Sequence, residues 1–286
     1  EIILRPYQFC NLSSVAVRSD DTVDSLKRKV RLAAILGTFQ STLTHFPYLR
    51  SIWQKNTEEE RLLGVSMTGI LDNPLLNSPN DLDLPKRLEE LRAIAVDTNA
   101  EFAASIGINR SAAITCVKPS GTVSQLVGCS SGIHPSYSDY YVRTIRCDVR
   151  DPLTQVLKDQ GVQWEPDVTK PADMVVFSFP QKAPSGSVTR NEISAIEQLE
   201  LWLTYQRHFC EHKPSITVTV KEDEWPEVGA WVWNHFDEMS GVSFLPFSEH
   251  VYVQAPYQDC TKEEYEAMLA KMPKEVDWTK LADYEK

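Results

Sequence analysis

The run Lys118-Pro119-Ser120-Gly121-Thr122-Val123-Ser124-Gln125 holds the residue types best suited to chemistry in this chain. It follows an apolar stretch, Ala112 to Val117, that reads as a strand, and it leads into a helix start. A strand, a turn of small residues and a helix start together offer unpaired backbone N–H groups to an anion. The hydroxyls of Ser120, Thr122 and Ser124 can add to them. The pattern is not a Walker loop, and Pro-Ser-Gly also suits an ordinary turn, so both readings stay open at this level. Downstream, Ser130-Ser131-Gly132-Ile133-His134-Pro135 keeps the chain irregular, as expected where backbone lines a pocket. His134 could reach a phosphate; a histidine satisfied by its neighbours is the blander alternative.

The six cysteines, at 10, 116, 129, 147, 210 and 260, form no CxxC pair and lack the density of a secreted disulfide scaffold. Structural zinc is not expected, and most of them read as small buried apolar residues of a reducing compartment. The formal net charge of −11, with no basic run, repels a nucleic acid over most of the surface, so any bound phosphate must be held locally. No stretch has the roughly 18 uninterrupted apolar residues of a membrane span, and Glu1-Ile2-Ile3-Leu4-Arg5 has neither the basic region nor the long apolar stretch of a signal peptide. The expected location is cytoplasmic.

The elements that must position these residues alternate along the chain, which points to an α/β fold with a parallel sheet or barrel wrapped by helices. Strands are expected at Arg61 to Thr68, Ala112 to Val117, Tyr140 to Cys147, Met174 to Phe179, Ser215 to Val220 and Gly241 to Pro246. A helix from about Pro85 carries Leu88, Leu91, Ala95, Thr98 and Phe102 at steps of three and four as its core stripe. Another runs from about Thr22 to His45 behind Asp20-Asp21 as caps, apolar on almost every side around Leu32 to Leu36, and is expected to be buried. Further helices are expected from about Asn191 to Glu211 and Thr261 to Met272, followed by a loosely ordered tail. Trp225, Trp231 and Trp233 are expected to pack a helix. Arg143 and Arg146, three apart on a strand, should face opposite sides. No linker separates two cores, so residues 1–286 read as one unit.

The run Lys118 to Gly128 with Ser131-Gly132-Ile133-His134-Pro135 resembles the substrate-phosphate loop of ribonucleotide reductases. Glu1-Ile2-Ile3-Leu4 with Cys10-Asn11-Leu12 resembles the finger loop of the same enzymes, in which Asn-Pro-Cys-Gly-Glu contains the thiyl-radical cysteine and, two residues later, a glutamate. Leu62 to Ser66, His212 to Val218 and Ser243 to Phe247 are further similar segments. The resemblance implies the C-terminal half of a ten-stranded α/β barrel with a central finger loop, its tip at residues 1–12. Alternation of elements alone would suggest only an open sheet or an eight-stranded barrel.

It also implies radical-based reduction of ribonucleoside triphosphates. Glu1 would be the base, its pKa raised toward neutrality by burial, and Cys10 a redox thiol. Pro119, Ser120, Gly121, Thr122, Val123 and Ser124 would hold substrate phosphates. The thiyl-radical cysteine would lie upstream of Glu1. The Ser-Gly-Thr-Val-Ser form of the loop and the segment Ser243 to Gln258 look more like the monomeric class that uses adenosylcobalamin than like the class with a diiron subunit, whose relay tyrosines are not matched here. The implied partners are a thioredoxin-type reductant, a deoxynucleotide effector acting through an N-terminal half, and that complementary half itself. Three alternatives remain: a nucleotide-phosphate-binding module that is not catalytic without its complementary N-terminal half, the large subunit of a diiron-dependent ribonucleotide reductase, and a sugar-phosphate enzyme on an eight-stranded barrel, which would leave Glu1 and Cys10 without roles.

Overall fold

The computed structural model describes residues 1–247 and 252–285. In chain order its elements are β1 (Asn11–Ala16), α1 (Val23–Gln40), α2 (Ser51–Glu60), β2 (Leu63–Thr68), α3 (Leu84–Ser105), α4 (Val123–Val127), β3 (Tyr140–Asp148) and α5 (Pro152–Asp159). Next come β4 (Trp164–Pro166), β5 (Met174–Lys182), α6 (Ala195–His208), β6 (Ile216–Val220), α7 (Trp225–Asn234), β7 (Val242–Pro246), β8 (Tyr257–Asp259), α8 (Lys262–Lys271) and α9 (Leu281–Tyr284). The class is the mixed α/β one expected.

The chain divides into two compact units where one was expected. The first is Glu1–Ser136 with Pro184–Phe247, and the second is Tyr137–Ala183 with Ser248–Lys286. No long linker betrays the division in the sequence, because each unit is assembled from two separate stretches; the crossings fall at short turns such as His134-Pro135-Ser136 and Pro184-Ser185-Gly186-Ser187, which read as ordinary loops.

The first unit is parallel throughout. β1 pairs with β2 from Asn11–Leu63 to Ala16–Thr68, and β6 with β7 from Ile216–Val242 to Val220–Pro246. The stretch expected as a strand at Ala112 to Val117 joins them through bridges Val65–Thr115 and Val117–Pro214. Parallel neighbours need long crossovers. These are supplied by α1, α3, α6 and α7, which bury Leu26, Val30, Leu88, Leu91, Ala95, Leu199, Trp202, Leu203 and Trp231 against Leu63, Val65, Met67, Ile216 and Val218. The buried Trp202 indole donates to the Pro214 carbonyl at 3.0 Å, and the Tyr205 hydroxyl to that of Leu76 at 3.1 Å, so neither aromatic leaves a polar atom unpaired.

Several expectations change here. α1 is capped by Thr22, in a reciprocal box with Ser25, and not by Asp20 or Asp21; Asp21 instead takes the Lys29 ammonium at 2.5 Å. The helix is not buried all round: Leu32, Leu36 and Phe39 are 55%, 65% and 62% exposed, because β1 pairs on one side only among the described residues. Of the tryptophans, Trp231 packs as expected, its indole donating to Glu200 Oε1 at 2.6 Å, while Trp233 is exposed.

The second unit is an antiparallel sheet ordered β4-β5-β3-β8, with a small core of Leu157, Val162, Val175 and Phe177. Arg143 lies over the Tyr257 ring and Arg146 pairs with Asp167, so the two do go separate ways. The tail is not loose: the Asp277 amide donates to Gln160 Oε1 at 2.5 Å, and the Tyr284 hydroxyl bonds Asp159. Residues 248–251, part of the Ser243 to Gln258 segment, lie outside the described residues.

Candidate active site

Every residue of the candidate site belongs to the first unit. Residues 1–10 precede β1 and are fastened at both ends. At the far end, the Arg5 guanidinium pairs with Glu59 at 2.7 Å and Glu60 at 3.1 Å. The Gln8 amide donates to Glu60 Oε2 at 2.6 Å, and Phe9 stacks among Phe46 and Trp53. α2 thus serves as a backing for the segment that leads into Cys10.

At the near end, the Lys213 amide donates to the Glu1 carbonyl at 2.9 Å. The Ile3 amide donates to His212 Nδ1 at 3.3 Å, and His212 Nε2 donates to the Leu63 carbonyl at 2.8 Å. His212 is buried and held neutral: burial pushes its pKa below the usual 6.5 against the pull of the backbone carbonyls it faces. Gly64, in β2, leaves room for this approach. A Cβ there would stand 2.5 Å from Leu12 Cδ2, 3.1 Å from Ile2 Cδ1 and 3.3 Å from Cys116 Sγ.

The Glu1 carboxylate meets the Lys118 ammonium at 2.9 Å. Burial pushes its pKa up, but the Lys118 hydrogen bond and charge, with the amino group of residue 1 and the Ser215 hydroxyl adding to them, outweigh that and hold it below the usual carboxylate value. The expectation of a carboxyl raised toward neutrality is therefore not met, because an ammonium sits in contact with it. The Cys10 thiol is pushed up to about 12 by burial, with Lys118 pulling weakly the other way, so it is protonated at neutral pH. The buried Cys116 is also pushed up to about 12, first by burial and then by the neighbouring Cys10, while Lys118 opposes the rise. Glu1, Cys10 and Cys116 thus share Lys118 as a common neighbour.

Lys118 also opens the 119–124 loop. Ser120 takes a left-handed φ of 53°, turning the chain sharply. Among the described residues the amides of Ser120, Gly121, Thr122 and Val123 have no backbone acceptor, whereas the Ser124 amide donates to the Ser120 carbonyl at 2.9 Å. Four of the five expected donors are therefore available, and Gly121, Thr122 and Val123 are exposed.

Beneath the loop lies the 130–132 segment, stitched to the end of β2. The Thr68 hydroxyl donates to the Ser130 carbonyl and accepts the Gly132 amide, at 3.0 and 2.9 Å. The buried Asp72 carboxylate accepts the Ser130 amide at 2.8 Å and the Ser187 hydroxyl at 2.5 Å. Gly132, at φ 56°, presses so closely on the loop that a Cβ would lie 2.3 Å from the Lys118 carbonyl oxygen. His134 is a satisfied side chain and not a phosphate ligand. Its Nδ1 donates to Ser131, its Nε2 accepts the Thr217 amide at 2.9 Å, and burial lowers its pKa.

The sequence reading named Glu1, Cys10 and 119–124 but gave no role to Lys118, His212, Ser215 or Arg18, whose guanidinium caps the Gly128 carbonyl at 3.1 Å. The only available signal for Lys118 was its place at the head of the loop. Its partner is far away in sequence.

A groove of about 830 Å³ runs elsewhere, along β1 and α1. Its lining is mostly apolar, with Leu12, Leu32, Leu36 and Phe39 beside the polar Arg18 and Lys29, and it contains neither Glu1, Cys10 nor the loop. Among the described residues no three His, Cys, Asp or Glu are grouped to hold a metal ion, and no helix is long and apolar enough to cross a membrane.

No protein-family model matches the chain. It is similar along most of its length to adenosylcobalamin-dependent ribonucleoside-triphosphate reductases. Identity is 29% over 268 residues with that of Lactobacillus gasseri, covering 84% of this chain and 36% of the relative. It is 28% with that of Euglena gracilis, covering 96% and 37%, and 28% with a probable one of Dictyostelium discoideum, covering 98% and 37%. The chain thus spans well under half the length of these relatives. A solved B-12 dependent, class II ribonucleotide reductase superposes with a TM-score of 0.80 at 24% identity, across 100% of this chain and 43% of that one. The class Id alpha subunit of Actinobacillus ureae gives 0.55 at 13%, across 84% and 50%. These superpositions speak for a shared fold.

Proposed function

We propose that the chain is the part of an adenosylcobalamin-dependent ribonucleoside-triphosphate reductase that carries the proton acceptor, one redox thiol and the substrate-phosphate loop. The observation that carries this reading is the convergence of Glu1, Cys10 and the 119–124 loop on Lys118, in a chain whose likeness to such reductases runs nearly end to end. In this reading the parallel array of the first unit forms half of a ten-stranded barrel, with residues 1–12 as the tip of its finger loop. The rest, including the thiyl-radical cysteine and the effector site, belongs to a complementary N-terminal half.

The amides of Ser120 to Val123 hold the triphosphate, and local donors suit an anion in an otherwise acidic protein. Once the 3′ hydrogen of the ribose has been removed, the Glu1 carboxylate accepts the 3′ hydroxyl proton while a thiol of the Cys10 pair gives its proton to the 2′ hydroxyl, which leaves as water. Cys10 and a thiol of the other half then deliver two electrons and become a disulfide, which a thioredoxin-type protein reduces. A protonated Cys10 suits this role, since the thiol must deliver hydrogen as well as electrons. Adenosylcobalamin would supply the initiating radical when bound. No residue of this chain is assigned to holding it. The free cysteines accord with a cytoplasmic setting.

The test is reduction by the chain alone and together with the N-terminal half. Deoxynucleotides should form only with both halves, adenosylcobalamin and a dithiol, and bound nucleotide should place its phosphates on the Ser120 to Val123 amides. Activity of the chain alone, activity with a diiron subunit and no cobalamin, or phosphates bound elsewhere would overturn the reading.

A further inference from the structure

We propose that Lys118 is a positioning residue that couples the proton acceptor Glu1 to the loop receiving the substrate phosphates. The inference rests on the function proposed above and adds to it a residue acting through Glu1.

The backbone of Lys118 is locked from two sides. Its amide donates to the Ser66 hydroxyl of β2 at 2.9 Å, and its carbonyl lies under Gly132, where not even a methyl group would fit. Only the side chain is free to choose a partner, and it spans from the head of the loop to Glu1 Oε2 at 2.9 Å. The contact is partly sheltered, with the two side chains 29% and 20% exposed, so it is less screened than a surface pair. One residue thus sets both where the loop begins and where the carboxylate points.

The groups that face that carboxylate are the Lys118 ammonium, the Ser215 hydroxyl just before β6, the Cys116 thiol and the amino group of residue 1, which is an uncharged amide in the longer protein proposed above. Of the side chains, Lys118 alone brings a charge opposite to that of Glu1. With it in place the carboxylate is unprotonated and one oxygen is engaged. The carboxylate keeps acceptor lone pairs beyond those used by Lys118 and Ser215, and one of these takes the hydroxyl proton.

The experiment compares Lys118→Met and Lys118→Arg in the full-length protein that contains this chain, by steady-state reduction across pH. Lys118→Met should lower kcat by about ten- to a hundredfold while KM stays within about twofold, the signature of a lost contribution to the chemical step. The acidic limb of its rate profile should move to higher pH, because a carboxylate without its ammonium protonates more readily. Lys118→Arg, which keeps the charge, should recover most of the rate. In a Glu1→Gln background Lys118→Met should cost nothing further. A raised KM with kcat intact would make Lys118 a phosphate ligand and overturn the proposal. So would losses that simply add, or an unmoved pH profile. Wild-type protein that reduces no ribonucleotide would instead bring down the function on which the proposal rests.

Discussion

Replacing Gly132 by alanine should damage the site without touching any reacting group. Two effects combine there. At φ 56° an L-residue pays about 1–2 kcal/mol for the left-handed conformation. The added Cβ would also stand 2.3 Å from the Lys118 carbonyl oxygen and 3.2 Å from that of Pro119. Ordinary C···O contact begins near about 3.3 Å, so the head of the loop must retreat by about 1 Å or the strain must be retained. Gly128 separates the two effects: it has φ 61° but nothing within 4 Å of a Cβ. Gly128→Ala should therefore show the conformational cost alone, a fall in melting temperature of roughly 2–8 °C for a unit of this size. Gly132→Ala should lose about 1–3 kcal/mol more if the loop stays in place. If the loop yields, kcat/KM should fall by on the order of a hundredfold, the usual result of a 1 Å misplacement. Melting curves, nucleotide titration and reduction kinetics on both variants give the answer. A Gly132→Ala protein that melts with Gly128→Ala and binds and reduces nucleotide like wild type would refute the account of the loop's support.

Two other perturbations test independent parts of the site. Cys10→Ser should bind nucleotide normally yet lose multiple turnover with a thioredoxin-type reductant, and full turnover would make Cys10 structural. His134 and His212 are both held neutral with pKa values below 6.5, so the unfolded chain binds more protons than the folded one as pH falls. The stability they leave intact above that pH should be lost progressively below it, before the carboxylates titrate. Denaturant midpoints on either side of pH 6.5 measure this, and a flat profile would contradict the hydrogen bonds drawn for the two rings.

Most strands were legible because apolar residues of β type run together, as in Met174–Lys182 and Ile216–Val220. β1 was not: its Asn-Leu-Ser-Ser-Val-Ala alternates weakly, with Ser14 exposed and Ser13 turned to α1, where its hydroxyl donates to the Ala33 carbonyl at 3.0 Å. α2 was missed because Ser51–Glu60 buries only Thr57 and so carries no apolar stripe. The left-out polar residues share one cause. His212 matters through Ile3 and Leu63, and Lys118 through Glu1, contacts that close over more than a hundred residues of sequence and are set by which strands lie side by side. The 119–124 turn, proposed above to receive phosphates, was legible as a turn with open amides because those donors are local in sequence.

The interleaving of the two units has a bearing on how the chain acquires its structure. In the second unit β8 pairs with β3 at Tyr141–Asp259, while β3, β4 and β5 pair among near neighbours. During synthesis the pairing of β3 with β5 can therefore form early, but its outer strand β8 emerges only after β7, the last strand of the first unit. The first unit must find its own register with the stretch Tyr137–Ala183 held as a closed loop between its segments. Closing that loop costs entropy growing only with the logarithm of its length, yet it delays the long-range parallel pairings. The expected kinetic order is the local β3–β5 pairing, then the parallel array, and last the docking of β8 with the helices that follow it, so a released chain ending before residue 257 should carry a finished first unit and a second unit lacking one edge.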